Sequence, residues 1–225
     1  MKKTIFALFS ICVLAISCGK DDPDPVSPIA SKPYSNTNDG SNWIYEVKTL
    51  NTTTSATDTT YDTSRVVAGD TVINSKNYRK IDHYNGASRS YTNVTGNDYY
   101  QFQNVALLDT SVEALYLKDN ANVGDNWQQD LTVDPGLGVP IPFTLKYTIL
   151  EKGVSRTVYG ITYNDVITVK TEVSSSALPG AITSDIRNYY ARDIGLIESY
   201  YDINVTSPVA THVHNESLLK YADPR

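Results

Sequence analysis

Past its first seventeen residues, this chain nowhere keeps an apolar period of 3.6 for three helical turns with a cap at each end. It offers instead short runs of β-branched and aromatic residues broken by turn chemistry. Trp43 to Lys48 alternates large and polar side chains, and Thr71 to Ile73, Asp98 to Phe102, Phe143 to Leu150, Asp165 to Val173, Ile186 to Tyr190 and Gly195 to Ile203 are strand-like. Between them stand Ala68-Gly69-Asp70, Asn74 to Asn77, Asn85-Gly86, Gly96-Asn97-Asp98, Val123 to Asn126, Tyr159-Gly160 and Pro179-Gly180. Val105 to Lys118 reads equally as one helix or as two short strands around Asp109-Thr110-Ser111. Strands joined this tightly must pair antiparallel, because parallel pairs need long crossovers. An all-β fold follows: a curved antiparallel sheet forming an open or half barrel of lipocalin-like or lipoprotein-carrier-like type, with a β-sandwich as the alternative.

The N-terminus sets the address. Lys2 and Lys3, the apolar run from Ile5 to Ile16 and the small Ser17 form a signal-peptide layout, too short and wrongly flanked for a membrane span. Leu14-Ala15-Ile16-Ser17-Cys18 resembles a bacterial lipobox, which implies cleavage before Cys18 and lipidation of its thiol. Residues 1–17 are therefore expected to leave. The remaining 225 minus 17, or 208, residues suffice for one sizeable core. Losing Lys2 and Lys3 takes 19 basic residues to 17 against 25 acidic ones, a formal charge of −8. That sign disfavours nucleic acid. Cys12 departs with the signal, so an acylated Cys18 leaves no disulfide, thiol nucleophile or cysteine metal site. Residues 18–40, rich in Asp, Pro, Ser and Asn, read as a flexible tether with an r.m.s. reach of roughly 25 Å. Residues 41–225 read as one β domain.

A weak internal repeat divides that domain. Thr71-Val72-Ile73-Asn74 followed by Tyr78 is similar to Thr157-Val158-Tyr159-Gly160 followed by Tyr163, and tyrosine pairs follow at Tyr99-Tyr100 and Tyr189-Tyr190. Two similar meanders, 41–130 and 131–225, are one explanation; chance likeness among tyrosine-rich hairpins is the other.

Three phrases carry a family resemblance: Ala68 to Tyr78, then Leu115-Tyr116 with Asn122 to Trp127, then Tyr189 to Ile197. Together they resemble exported, β-rich lipoproteins of Bacteroidota, in which GDT-x-I-N-G-K-x-Y, V-G-D-x-W and Y-Y-A-x-x-I-G-L-I recur in this order. Ser75 stands where that pattern has glycine. The stretch Lys20-Asp21-Asp22-Pro23-Asp24 is similar to the signal that sends such lipoproteins to the outer face of the outer membrane; the periplasmic face is the alternative location. The resemblance implies a fold and an address, and no reaction.

Candidate chemistry is sparse. His212 and His214 fall on one face of a strand and suit a metal, with Asp202 or Glu216 as a conceivable third ligand and His83 remote in sequence; terminal-strand polar residues are the bland reading. Asp119 to Asp125 fails as a calcium loop, because Ala121 and Val123 occupy ligand positions. No G-x-S-x-G or phosphate loop is present, so no catalytic residue and no cofactor is expected. Two loops are too apolar for solvent, Pro135 to Phe143 and Ala177 to Ile182. They are expected either to plug one end of the barrel or to rim a ligand site at Leu137, Val139, Ile141 and Leu178. The 17 tyrosines suit strands, and also suit stacking on sugar rings. The expected function is that of a surface-anchored, non-enzymatic binding or accessory lipoprotein holding an apolar or glycan ligand. Its rivals are a surface glycan hydrolase with an unrecognised carboxylate pair and a lipid or lipoprotein carrier.

Overall fold

The computed structural model describes residues 32–225, apart from 53, 85–87, 106–109, 134–139 and 208–209. All regular structure among them is strand: β1 (Asn42–Leu50), β2 (Thr57–Ile73), β3 (Lys76–His83), β4 (Ser88–Thr95), β5 (Asp98–Val105), β6 (Thr110–Lys118), β7 (Asn126–Val133), β8 (Ile141–Val158), β9 (Ile161–Ser174), β10 (Ile182–Ala191), β11 (Gly195–Val205) and β12 (Thr211–Asp223). They make one antiparallel sheet of twelve strands in the order β6-β5-β4-β3-β2-β1-β12-β11-β10-β9-β8-β7. This is a nearly closed barrel, not a sandwich. Two meanders, β1 to β6 and β7 to β12, meet where the first strand pairs with the last, Trp43 against Ala222 and Glu46 against Leu218. The change of meander falls in residues 119–125, so β7 belongs wholly to the second one and a division at 130 cuts through it.

The repeated hairpins hold equivalent places as second and third strands of each meander. The first closes on Asn74 and Ser75, with φ of 49° and 64°, between the paired Ile73 and Lys76. Two left-handed residues in a two-residue loop make a type I′ turn, whose twist matches that of the strands. Serine at the second position is strained, because its Cβ crowds the backbone there. Ser75→Gly is therefore expected to stabilise the fold by about 1 kcal/mol, net of glycine's larger entropy loss. Chemical denaturation would check this, and an unchanged or lower midpoint would contradict it.

Sheet closure is incomplete at one place. β6 and β7 are consecutive in sequence, yet they share no ladder. Side chains of β7 bridge the gap instead: Trp127 Nε1 donates to Leu115 O at 2.7 Å, the Leu115 N–H donates to Gln129 Oε1 at 3.2 Å, and Gln129 Nε2 donates to Glu113 O. Gln129 thus presents to β6 the acceptor and donor that a neighbouring strand's backbone would present. Trp127 also stacks on Tyr147, with ring centroids 5.5 Å apart and planes 11° from parallel.

One end of the barrel is closed by the segment just ahead of β1. Residues 32–41, assigned from composition to the tether up to residue 40, are packed across that end. Tyr34 is fully buried; its N–H donates to Tyr99 Oη at 3.0 Å, and its hydroxyl donates to Asp165 Oδ1 at 2.7 Å. The Arg192 guanidinium lies 4.3 Å from the Tyr34 ring centroid and bonds Asp165 through Nε. Burial alone would raise the Asp165 carboxyl, but the hydrogen bonds from Tyr34 and Arg192 outweigh it and hold the group below the usual carboxylate range. Gly195, at a φ of 99°, passes beneath this strap, where a Cβ would stand 3.8 Å from Ser35 Cα. Further along, Arg79 Nε donates to Thr37 O and the Gly40 N–H to Val66 O, which carries the strap to β2 and β3.

Candidate functional site

Strand parity decides which side chains meet inside the barrel. Leu131 on β7, Phe143, Leu145 and Tyr147 on β8, Val173 on β9, Ile186 and Tyr190 on β10 and Ile203 on β11 all point inward. They line a cavity of about 250 Å³. Its polar lining, including Gln101, Thr171 and Asn188, carries no formal charge. Burial pushes the Tyr147 hydroxyl up to about 12 and that of Tyr190 well above its ordinary value, so both stay neutral.

A second cavity of about 220 Å³ lies under β1 to β5, lined by Trp43, Tyr45, Val47 and Ile81 beside a polar group. Tyr116, Tyr190 and Gln101 line both cavities and form the wall between them, with the two tyrosine rings 5.2 Å apart. Burial raises the Tyr116 hydroxyl to about 12, against hydrogen bonds from Thr92 and Ser35 that act the other way. The polar group joins three adjacent strands. His83 Nδ1 stands 3.0 Å from Asp62 Oδ2 and 3.0 Å from Ser64 Oγ, and His83 Nε2 stands 2.8 Å from Ser90 Oγ. Reading the sequence missed this group, since residues 62, 83 and 90 share no motif. Alternation within β2, β3 and β4 was the available signal.

The residues singled out beforehand fare unevenly. Cys18, Leu137 and Val139 lie outside the described residues. Ile141 is not in an open loop: it begins β8, pairs with Val133 and shares the inward parity of Phe143 at the barrel end opposite the strap. Pro142 is tolerated in that strand because β9 starts to pair only at Thr144. Leu178 sits in the β9–β10 turn, its N–H donating to Ser175 O at 3.2 Å, at the same end. Neither Ile141 nor Leu178 lines the larger cavity; their neighbours Phe143 and Ile182 do. Among the described residues, the strap closes the opposite end; residues 135–139 of the first apolar loop lie outside them.

His212 and His214 do share a face of β12. Asp202 stands between them, 2.9 Å from His212 Nε2 and 3.2 Å from His214 Nδ1, while Glu216 Oε1 is 3.9 Å from His214 Nε2. Among the described residues no three His, Cys, Asp or Glu side chains converge on a metal position. The tyrosines serve packing more than display. Tyr34, Tyr78, Tyr99, Tyr147, Tyr189 and Tyr190 are buried. Several also place a hydroxyl on an acid: Tyr34 on Asp165, Tyr78 on Glu113 and Tyr99 on Asp119.

No family model matches this sequence, and no curated protein matches it. Two crystal structures are similar in fold. One is a candidate lipoprotein from Parabacteroides distasonis, at TM-score 0.52 and 11% identity over 86% of this chain and 99% of that one. The other is a candidate exported protein from Bacteroides fragilis described as having a YmcC-like fold, at TM-score 0.42 and 8% identity over the same 86% and 99%. The first likeness supports the same all-β architecture.

Proposed function

We propose that this protein is a binding lipoprotein of the cell envelope, anchored through an acylated Cys18, and that the larger of the two interior cavities holds one small apolar group. The observation that carries this reading is the cavity's lining, apolar and aromatic with uncharged polar groups, at the barrel end where Ile141 and Leu178 lie. An apolar cavity of ~150 Å³ stays dry and takes a benzene ring. A cavity of about 250 Å³ has room for a fused aromatic ring system or a short acyl segment. Leu137 and Val139 would then belong to the rim. The likeness to a candidate lipoprotein supports the anchor, as do the lipobox-like residues ahead of Cys18, and the acidic residues after Cys18 favour the outer face of the outer membrane.

Binding is tested with 1-aminoanthracene, whose fluorescence rises on leaving water. A saturable rise is expected. Ala114→Phe, which fills the cavity without adding charge, should weaken it by about tenfold or more, near 1.4 kcal/mol. No saturable rise, or equal binding by the filled variant, would remove the ligand-holding reading.

Anchoring has its own test. A buried acyl chain contributes about 0.8 kcal/mol per methylene, and two signals hold firmly. Cys18→Ala should therefore move the protein from the membrane fraction to the soluble one. Retention after a high-salt wash would refute lipidation at this residue.

A further inference from the structure

The smaller cavity carries chemistry that simple holding does not use. Asp62, His83 and Ser90 come from β2, β3 and β4 and line the cavity on one face as diagonal neighbours, since His83 pairs with Ser64 and Ser90 with Ile81, and Ser90 is 3% exposed. Asp62 Oδ2 at 3.0 Å from His83 Nδ1 favours the tautomer with the proton on Nδ1. Nε2 is then the acceptor, and the Ser90 hydroxyl 2.8 Å away donates to it. Ser64 Oγ donates to the same Asp62 oxygen at 3.3 Å and helps to orient it. The geometry points to Ser90 as an activated nucleophile and to this cavity as a site that hydrolyses a small carboxylic ester. The order of contacts, hydroxyl to Nε2 and Nδ1 to carboxylate, is the one by which serine hydrolases are recognised on unrelated folds. This inference goes beyond the ligand-holding role and does not rest on it.

The step balances with water as the only co-reactant. Ser90 Oγ attacks the carbonyl carbon while its proton passes to His83 Nε2. The tetrahedral adduct collapses, the bond from carbon to the alcohol oxygen breaks, and His83 returns the proton to the departing alcohol. Water then attacks the acyl-serine with His83 again as base, releasing the carboxylic acid and restoring Ser90. The developing oxyanion needs a donor. Gln101 lines the same cavity and sits opposite Thr92, two residues along β4 from Ser90 on the same face. Its side-chain amide is the group assigned to that role. Trp43, Tyr45, Val47 and Ile81 would enclose a short acyl group.

The purified full chain is treated with a biotinylated fluorophosphonate and, separately, with p-nitrophenyl acetate. The expected result is one phosphonyl group, mapped by peptide mass to Ser90, and ester turnover that Ser90→Ala abolishes. Asp62→Asn and His83→Asn should each lower turnover by about 10²-fold or more, and Gln101→Leu by a similar factor. Ser90→Cys should take iodoacetamide at that position about tenfold faster than the same variant carrying His83→Asn, a readout that holds even if Ser90→Ala folds poorly. No adduct at Ser90, turnover that survives Ser90→Ala, or equal labelling with and without His83 would overturn the inference. 1-Aminoanthracene binding in the larger cavity should be unchanged in Ser90→Ala, so failure here is distinguishable from failure of the ligand-holding role.

Discussion

Tyr34→Ala should lower the melting temperature by about 10 °C, corresponding to about 4 kcal/mol in a domain of this size. The side chain is fully buried, so truncation leaves a cavity where a ring stood. It also removes a donor to Asp165 and the ring beneath the Arg192 guanidinium. Tyr34→Phe separates the two effects. It keeps the ring and loses the hydroxyl's bond to Asp165 and the one it accepts from Arg192 Nη2 at 3.0 Å, for which about 1.5 to 3 kcal/mol is expected. Paired thermal melts of both variants decide the matter; an alanine variant that melts with the parent would mean the strap contributes nothing to closing the barrel.

The second large effect is at the seam between β6 and β7. Trp127→Ala is expected to cost about 3 kcal/mol, since it deletes the stack on Tyr147 and the bond to Leu115 O together. Gln129→Leu leaves the Leu115 N–H and the Glu113 carbonyl without the partners Gln129 supplied, which should cost about 2 kcal/mol. The two changes act on one contact, so the double variant should lose less than their sum. Hydrogen exchange at the Leu115 amide is the local readout. Protection there that survives Gln129→Leu would show that the side chain does not close the seam.

Turn chemistry and strand alternation make the all-β class and the antiparallel connections legible in the sequence. The repeat was legible in part. Its hairpins occupy matching strands of the two meanders, but the tyrosine pairs do not, because Tyr99 lies near the start of a fifth strand and Tyr189 near the end of a fourth. Strands such as Thr57–Ile73 and Thr211–Asp223 were hard to read because Thr, Asp, Ser and Arg interrupt the first and His, Asn, Glu and Lys the second. Their β character comes from pairing with neighbours, not from an apolar face. The strap was hidden for a related reason: Tyr34 stands alone among Ser, Pro and Asn, and composition cannot show that one ring will fill the end of a barrel. The group at Asp62, His83 and Ser90 needed the registers of two hairpins. A shift of one residue in either would turn part of it outward.

The pairing of β1 with β12 bears on how quickly this molecule can reach its native state. Asn42 faces Asp223 across that ladder, so the contact that joins the meanders spans nearly the whole described chain. Contacts between residues so far apart in sequence form late and slowly, because the closure entropy of the intervening chain must be met before the ladder returns any of it. Local hairpins such as β2–β3 and β8–β9 can appear as soon as their residues are available. The barrel itself must wait for the last strand, and until then β1 carries an unpaired edge open to other chains.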